Sequence, residues 1–503
     1  MNTYINPILP GFYPDPSICR VDDDYYLVNS SFEFFPGVPL WHSKDLVHWT
    51  QIGNILTKDS QLPLQGCNSS GGIYAPTLRW HKGQFYMTTT NVSYGGNFYV
   101  WADTIEGPWS DPVYIDQQGI DPSLFWDEDG TVLFMSTHID EDGYSCIGQS
   151  VIDLQTGKRL SPIKPIWYGT GGKCPEGPHM YKINKQYYLM IAEGGTEYGH
   201  METIARSQSP WGPFEECPNN PILTHRNCNM EEEFHGLGHA DMVQDPKGQW
   251  WIVFHAIRTS QFMLHHIGRE TMLAPVEWSE DGWPVVNGGR FIQNPIIIPE
   301  ENAPLKSQNR LSWTEDFSSE KLASCWCFLR NPDMSRYEFD KDGITIKGSS
   351  TKLDVVGSPS FIGVRQQQFS VCTESQVQLS DLDENTVVGI TVFHTNEHHY
   401  DIAITRHQGE IRASLRKRVA DMFIENDSIL LGSATTLLLR IEANRYTYTF
   451  FAGTDDTHLY KLGTGSTQLL STECMVCTFT GCFQGMFVEG EAQATFNYFT
   501  LKY

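Results

Sequence analysis

The sequence contains no uninterrupted apolar stretch close to the ~20 residues that a membrane-spanning helix needs. Its first residues, MNTYINPILPGFYPDPS, also lack the basic segment and apolar run of a secretory signal. Basic residues are scarce, because 35 Lys and Arg face 60 Asp and Glu, which gives a formal net charge of -25. Since such an acidic chain repels a phosphate backbone or an anionic membrane, we expect no nucleic-acid or membrane partner. Without a secretory signal or a spanning stretch, the expected location is the cytoplasm.

Three common catalytic signatures are also missing: G-x-S-x-G, H-E-x-x-H and G-x-x-x-x-G-K-[ST]. Their absence argues against the usual serine hydrolases, zinc proteases and P-loop nucleotide hydrolases. With 503 residues, the chain exceeds what one hydrophobic core usually organises, so we expect two domains. Trp is nearly missing from the second part, since only Trp313 and Trp326 of the 14 Trp follow residue 290.

One short pattern recurs five times in the first part of the chain. The copies are DPSICRVDDDYYLVNSS, APTLRWHKGQFYMTTTN, DPSLFWDEDGTVLFMSTH, EGPHMYKINKQYYLMIAEG and HADMVQDPKGQWWIVFHA. Each copy predicts a β-hairpin, because turn-forming residues separate two runs of β-favouring residues. A second hairpin pattern follows each copy, so every repeat predicts four strands. Five such repeats predict a five-bladed β-propeller over residues 1–300.

The segment from Pro295 to Arg310 has little hydrophobic periodicity and predicts a linker. Beyond it, short alternating stretches such as VVGITVFHTN and TLLLRIEANRYTYTFFAG predict an antiparallel β-sandwich over residues 312–503. The expected fold class is therefore all-β. A sandwich of this size either binds carbohydrate or braces the first domain.

The residues that open the five repeats form one candidate site. They are Asp15, Ala75, Asp121, Glu176 and His239. The innermost strand of each blade borders the axial channel, so we expect these residues to form a ring, all at the same offset. Carboxylates that converge in a channel are costly to desolvate and usually serve chemistry. Two or three carboxylates without a metal cage suit glycoside hydrolysis, in which one acid protonates the leaving oxygen while another activates water or attacks.

Several longer motifs match one known enzyme family. NPILPGFYPDPSI, SSFEFFPGVPLWHSKDLVHW, GGIYAPTLR, GIDPSLFWDEDG, CPEGPHMYKINKQYYLMIAEGG, GLGHAD and GRETMLAPVEW closely resemble glycoside hydrolase family 43, in its β-xylosidase and α-L-arabinofuranosidase branch. The resemblance covers the propeller, and the sandwich resembles the accessory domain of the same branch. It implies an inverting exo-glycosidase that removes terminal β-1,4-xylosyl or α-L-arabinofuranosyl residues from the non-reducing ends of xylo- and arabinoxylo-oligosaccharides.

The resemblance also implies roles for three carboxylates. Asp15 in YPDPS would be the general base that activates water, and Glu176 in CPEGPH the general acid. Asp121 in GIDPS would orient the acid and, as an ionised neighbour, raise its pKa. Inversion would place the base and the acid ~6.5–9.5 Å apart, which leaves room for water.

Two further polar residues follow from the resemblance. His239 in GLGHAD resembles the channel histidine beside the base, and Arg269 in IGRET resembles the arginine that contacts the acid and the sugar hydroxyls. A buried arginine also requires carboxylate partners on physical grounds. The resemblance implies no required cofactor, although some members of the family hold Ca²⁺ in the channel, which would place the ion near His239.

Aromatic residues are expected to line the pocket. Phe32 and Tyr74 match positions that surround the terminal sugar, and the resemblance implies that a phenylalanine of the sandwich closes the pocket. Phe479 is preferred over Phe483 for this role. Because β-xylosidases of this branch commonly have Trp where Tyr74 stands, the choice between xylose and arabinose stays open.

Three alternatives remain open at this point. The protein could be a strict α-L-arabinofuranosidase, a five-bladed relative that retains configuration, or a non-catalytic carbohydrate-binding protein. The three carboxylates count against the last alternative, because a binding module does not need them. The sequence does not decide whether the chain forms a homo-oligomer.

Overall fold

A computed structural model describes residues 2–298, 312–319, 321–380 and 382–503. Within these ranges the chain is built from β-strands, and five antiparallel sheets follow one another between residues 17 and 286. The first strands of successive sheets contact one another, and the first strand of the fifth sheet contacts that of the first. The ring of sheets is therefore closed, which confirms the predicted five-bladed β-propeller.

Strand order in every blade follows chain order. The strands of blades 1 and 2 are Ser17–Val21, Asp24–Val28, Gly37–Ser43, Thr50–Leu56, Thr77–His81, Gln84–Asn91, Gly96–Ala102 and Val113–Tyr114. Those of blades 3 and 4 are Ser123–Trp126, Val132–Ile139, Ser145–Val151, Lys164–Trp167, Glu176–Ile183, Gln186–Glu193, Met201–Ser207 and Glu215–Glu216. Those of blade 5 are Phe234–Gln244, Trp250–Arg258, Arg269–Trp278 and Pro284–Val286. Blade 4 has one strand more than predicted, Leu223–Thr224, which pairs with its third strand.

The first hairpin of each blade turns through left-handed backbone. The residues with positive φ in these turns are Asp22, Lys82, Gly83, Gly130, Asn184, Lys185 and Gly248. The turns of blades 1, 2 and 4 have two residues and need such conformations, because their twist must match that of the strands. The turn-forming residues in the five sequence copies therefore have a direct structural role.

The amino-terminal segment closes the propeller onto its last blade. Asn2–Tyr4 pairs antiparallel with Ile296–Ile298, and the Asn6 side chain bonds both the backbone N–H and the carbonyl of Leu273. The predicted linker is therefore wrong at its start, because the Ile triplet pairs as a strand. The rest of that linker, 299–311, lies outside the described residues, so the predicted domain boundary near residue 300 stays a prediction.

The second part is a sandwich of two antiparallel sheets, as predicted. The eight-stranded sheet contains Ser312–Glu315, Tyr337–Asp340, Gly343–Lys347, Val371–Leu379, Thr436–Ala443, Thr447–Gly453, Leu459–Ser466 and Gln493–Lys502. The seven-stranded sheet contains Ser360–Arg365, Val387–Thr395, His398–His407, Glu410–Val419, Met422–Glu425, Ile429–Gly432 and Phe483–Glu489. Alternate residues such as Ile390, Val392, Leu437 and Leu439 fill the buried core, because successive side chains of a strand point to opposite faces.

Propeller and sandwich share an apolar contact. The short strands Phe34–Phe35 and Phe328–Leu329 pair across it, and Phe12, Phe361 and Phe483 are fully buried in the same cluster. The described ranges also contain short 3-10 helices: Asn287–Gly289, Met334–Arg336, Asp456–His458, Thr467–Leu470 and Thr472–Cys474. No helix in these ranges is long and apolar enough to cross a membrane.

Candidate active site

Three of the predicted ring residues adopt left-handed backbone. The φ angles of Asp15, Asp121 and His239 are 52°, 55° and 51°. A non-glycine residue in this region stores ~1–3 kcal/mol of strain, and such residues cluster at functional sites. The repeat therefore turns the chain in the same unusual way at the start of blades 1 and 3 and inside the first strand of blade 5.

Blade 4 departs from the predicted common offset, and the first strand of blade 5 begins earlier than those of blades 1 and 3. In blade 4 the left-handed residue is Gly177 (φ 58°), so Glu176 lies one position earlier than Asp15 and Asp121 do in their repeats. Gly177 fits because a Cβ there would lie 3.1 Å from the His239 ring. His239 does not open its strand but lies inside Phe234–Gln244, where the pairing register shifts.

The Asp15 carboxylate is held from both sides. Its Oδ1 accepts a hydrogen bond from Arg269 (2.6 Å), and its Oδ2 accepts one from the Ser30 hydroxyl (2.5 Å). The His255 Nδ1 lies 3.1 Å from Oδ1 and that of His239 3.9 Å. Burial alone would raise the pKa of Asp15, but Arg269 and the two imidazoles hold it well below its ordinary value. Asp15 is therefore ionised at neutral pH, as a general base must be.

At Asp121 and Glu176 the pKa is raised, so the protonated form is favoured. Burial, followed by the negative charges of Glu176 and Asp15, raises the pKa of Asp121 well above its ordinary value. Burial and Asp15 also raise the pKa of Glu176 to about 7, against the opposing charges of Arg269 and Lys173. Glu176 stays partly exposed, so it can reach a substrate. The Gly177 N–H donates to the Asp121 carboxyl, which links Asp121 to the residue next to Glu176.

The predicted rise in the Glu176 pKa is thus confirmed, but its cause differs from the prediction. The pKa of Asp121 is itself raised by burial and by the charges of Glu176 and Asp15. Burial and the ionised Asp15 keep the proton on Glu176. Two buried carboxyls side by side cannot both ionise cheaply.

Arg269 has a carboxylate partner, as its burial requires. That partner is Asp15, the predicted base, whereas the resemblance implied contact with the acid Glu176. Its charge still lowers the pKa of Glu176. Arg269 Nε is buried and has no acceptor among the described residues.

Three aromatic rings form the wall of the pocket. The ring centroids of Phe32 and Tyr74 are 5.1 Å apart, and that of Phe479 lies 6.1 Å from Phe32 and 6.0 Å from Tyr74. The Arg269 guanidinium lies 5.7 Å from the Phe32 ring and 5.9 Å from the Phe479 ring. Of the two phenylalanines weighed from the sequence, the structure thus brings Phe479 to this group.

The other phenylalanine of the sandwich belongs to the domain interface. Phe483 is fully buried and stacks on Phe34 at 4.0 Å.

The surroundings of His239 bear on the calcium prediction. The described residues include no group of three or more His, Cys, Asp or Glu placed to hold a metal ion. Ca²⁺ takes six to eight oxygen ligands, whereas His239 stacks on His255 and its nearest carboxylate, Asp15, is already bound to Arg269 and Ser30. These side chains do not supply a calcium ligand set, and an assay with a chelator tests the prediction of no required cofactor.

Sequence reasoning missed several residues of the site. Ser30 and His255 touch Asp15, and His200 Nδ1 lies 3.1 Å from His255 Nε2. Ser30 lies two residues after the second strand of blade 1, and His255 lies within the second strand of blade 5. The polar residue at the end of each repeat copy was the available signal.

Comparison with known proteins agrees with this geometry. The model of glycosyl hydrolases family 43 matches residues 4–284, and that of the β-xylosidase C-terminal concanavalin A-like domain matches residues 314–502. The non-reducing end α-L-arabinofuranosidase BoGH43B of Bacteroides ovatus is 43% identical and covers 98% of this chain and 93% of its own. A xylosidase/arabinosidase of Butyrivibrio fibrisolvens is 35% identical, over 99% and 98%.

A solved structure gives the same result in three dimensions. The xylan β-1,4-xylosidase of Bacillus halodurans superposes with a TM-score of 0.92 at 32% identity, over 99% of both chains. Both domains of this chain therefore match one enzyme architecture from end to end. The chain belongs to glycosyl hydrolases family 43 and is a glycoside hydrolase.

Proposed function

We propose that the protein is an inverting exo-glycosidase that hydrolyses terminal non-reducing β-1,4-xylosyl and α-L-arabinofuranosyl residues of xylo- and arabinoxylo-oligosaccharides. One observation carries the proposal: a wall of three aromatic rings adjoins two carboxyls whose pKa values are pushed in opposite directions. Ring faces pack on sugar C–H groups, and the carboxyl pair supplies a base and an acid. Both sugars are pentoses with similar hydroxyls around the cleaved bond, so one pocket can serve both.

The reaction follows from the two protonation states. Asp15 takes a proton from a water molecule while that water attacks the anomeric carbon. Glu176 gives its proton to the glycosidic oxygen as the bond to the anomeric carbon breaks. Because water attacks once from the face opposite the leaving group, configuration is inverted.

The neighbouring residues support these steps. Asp121 accepts the Gly177 N–H and thereby fixes the backbone beside Glu176. Arg269 holds Asp15 through its Nη1. The imidazole rings of His239 and His255 lie beside the base.

A strict α-L-arabinofuranosidase is the second candidate. Tyr74 occupies the position where β-xylosidases of this branch commonly have Trp, and the Bacteroides ovatus relative at 43% identity is named for arabinofuranose alone. The Butyrivibrio fibrisolvens relative is named for both sugars, which supports dual specificity.

Two nitrophenyl glycosides distinguish the candidates, one of β-D-xylopyranose and one of α-L-arabinofuranose. Hydrolysis of both, with release of xylose from xylobiose and arabinose from arabinoxylo-oligosaccharides, is the expected result. Hydrolysis of the arabinofuranoside alone would favour the second candidate. Sugar affinity without any turnover would leave only a binding protein.

Stereochemistry needs its own measurement. Proton NMR of the first-formed product should show the anomer opposite to that of the substrate. A first product with the substrate's own configuration would mean a covalent intermediate and would contradict the role given to Asp15.

A further inference from the structure

Residues 472–482 of the sandwich, here called the closing segment, lie on the propeller beside the pocket. The Thr472 N–H donates to the His265 carbonyl (2.9 Å) and the Cys482 N–H to the His266 carbonyl (2.8 Å), both between strands of blade 5. The Phe479 N–H donates to the Ser70 hydroxyl (3.0 Å) between blades 1 and 2. The segment is thus attached at both ends and near its middle.

Glu473 joins the closing segment to two blades. Its carboxylate accepts the Tyr198 hydroxyl (2.9 Å) from blade 4 and the His265 N–H (3.0 Å) from blade 5. The His265 Nδ1 lies 2.6 Å from the same carboxylate. Burial would raise the pKa of Glu473, but His265 lowers it, so the carboxylate is ionised at neutral pH. Hydrogen bonds to an ionised acceptor are about twice as strong as neutral ones.

The closing segment reaches the reacting groups through Phe479. Its carbonyl accepts a hydrogen bond from Arg269 Nη2 (3.2 Å), while Nη1 of the same guanidinium bonds Asp15. Its ring completes the aromatic wall with Phe32 and Tyr74. A shift of the segment therefore moves one wall of the pocket and removes one acceptor of Arg269.

The part of the closing segment from 474 to 477 is not packed into either core. Cys474 and Cys477 are exposed, and Val476 is 92% exposed. An exposed ion pair is worth little, but the Glu473 carboxylate is only one-quarter exposed and collects three bonds from two blades. Loss of these hydrogen bonds would detach the first half of the closing segment from the propeller.

We propose that Glu473 is a positioning residue that holds the closing segment in place, so that the sandwich forms part of the sugar pocket. It acts through Phe479 and Arg269 and does not touch the substrate. The identity of the sugar in this inference rests on the proposed function.

The test compares Glu473→Ala with Glu473→Gln, Tyr198→Phe and, as a control on the exposed surface of the sandwich, Glu491→Ala. Steady-state kinetics on both nitrophenyl glycosides gives KM and kcat, and inhibition by the released pentose gives its affinity. For Glu473→Ala we expect KM and the inhibition constant to rise about tenfold, as the loss of one strong ionic hydrogen bond predicts. We expect kcat to change much less, because Asp15 and Glu176 stay in place.

The Gln variant provides the rescue. With its amide oxygen at the Oε2 position, Gln can accept from the His265 N–H. Its NH₂ at the Oε1 position can donate to an unprotonated His265 Nδ1 and to the Tyr198 hydroxyl oxygen, so this variant should stay close to wild type. Tyr198→Phe removes one of the three bonds and should give a smaller rise in KM. Glu491→Ala should match wild type in all measurements.

Hydrogen exchange provides a readout that does not need activity. In Glu473→Ala the amides of Thr472, Phe479 and Cys482 should exchange faster than in wild type. A lower Tm with KM, pentose inhibition and exchange unchanged would overturn the proposal, because Glu473 would then only stabilise the fold. Faster exchange with unchanged KM would also overturn it. If wild type hydrolyses neither glycoside, the proposed function fails, while exchange still tests the attachment.

Discussion

Asp15 and Glu176 are both carboxyls in one small site, and their different neighbours give them different protonation states. Asp15 is bonded by Arg269 and Ser30 and flanked by two imidazoles, so its ionised form is stabilised. Burial and the charge of Asp15 destabilise the ionised form of Glu176, so its neutral form is favoured. The ionised base therefore helps to keep the acid protonated, and pairs whose pKa values are pushed apart mark base and acid roles.

This arrangement predicts the pH dependence of kcat/KM. The reaction needs Asp15 ionised and Glu176 protonated, so activity falls below the pKa of Asp15 and above that of Glu176. Because the pKa of Asp15 is lowered, activity should persist down to about pH 4. Because the pKa of Glu176 is about 7, kcat/KM should fall tenfold per pH unit above that value. A profile of kcat/KM from pH 4 to 9 on xylobiose, whose leaving group needs a proton, checks the alkaline limit and the persistence of activity at acid pH.

Two variants test whether Glu176 sets the alkaline limit of kcat/KM. In Glu176→Gln, the residual activity on an activated glycoside should no longer fall above pH 7. In Asp121→Asn the limit should move by less than about half a unit, because burial and Asp15, which raise the pKa of Glu176, stay in place. A downward shift of a full unit would show that Asp121 is ionised instead.

The identity of the acid has a separate test in the leaving group. Glu176→Ala should lower kcat on xylobiose by about 10²–10⁴, the usual contribution of a general acid. Nitrophenyl substrates should lose much less, because their leaving groups depart without protonation. Asp15→Ala is the matched comparison, since loss of the base should slow both substrates alike. Equal losses on both substrates in Glu176→Ala would contradict its role.

At the level of the strand, we expect position 177, directly after Glu176 at the start of blade 4, to tolerate only glycine. Gly177→Ala places a Cβ at φ 58°, 3.1 Å from the His239 ring, and disturbs the N–H that binds Asp121. Gly130→Ala is the control, because Gly130 has φ 88° in a hairpin turn with open space around its Cβ position. Both should lose about 1–2 kcal/mol in the free energy of unfolding by urea, from backbone strain.

Activity should separate these two variants. Gly177→Ala should also lose at least tenfold in kcat, because Asp121, Glu176 and His239 all adjoin the substituted position. Gly130→Ala should keep the wild-type kcat. Equal kcat values in the two variants would mean that Gly177 serves the turn alone.

The repeat made the blades predictable, because turn residues and β-favouring runs act locally. The positions of Asp15 and Asp121 followed from it, since both precede the proline of their copy. The offset of Glu176 did not, because the space left at Gly177 depends on His239 from the neighbouring blade. The contact of His255 with Asp15 depends on how blade 5 closes onto blade 1. The contacts of Glu473 depend on how the sandwich docks on the propeller and join residues more than 200 positions apart.

At the scale of the whole molecule, propeller and sandwich behave as one unit because they share a buried interface. Arg330 of the sandwich is fully buried. Its side chain donates to the Cys67 carbonyl of the propeller (2.5 Å) and, within the sandwich, to the Gly357 carbonyl (2.9 Å) and the Asn396 amide oxygen (2.9 Å). Its backbone N–H donates to the Glu33 carbonyl. The residue thus links the sandwich to the segment that carries Phe32.

Arg330→Ala should therefore weaken both domains together. It leaves buried acceptors on each side without a donor, which costs about 3–5 kcal/mol in total. Differential scanning calorimetry should show a lower Tm, and the single transition expected of wild type should separate into two as the domains lose their coupling. Arg290→Ala, at an exposed arginine of the propeller, should change stability by less than ~0.5 kcal/mol. If Arg330→Ala loses less than 1 kcal/mol, the apolar cluster around Phe34 and Phe483 couples the domains without it.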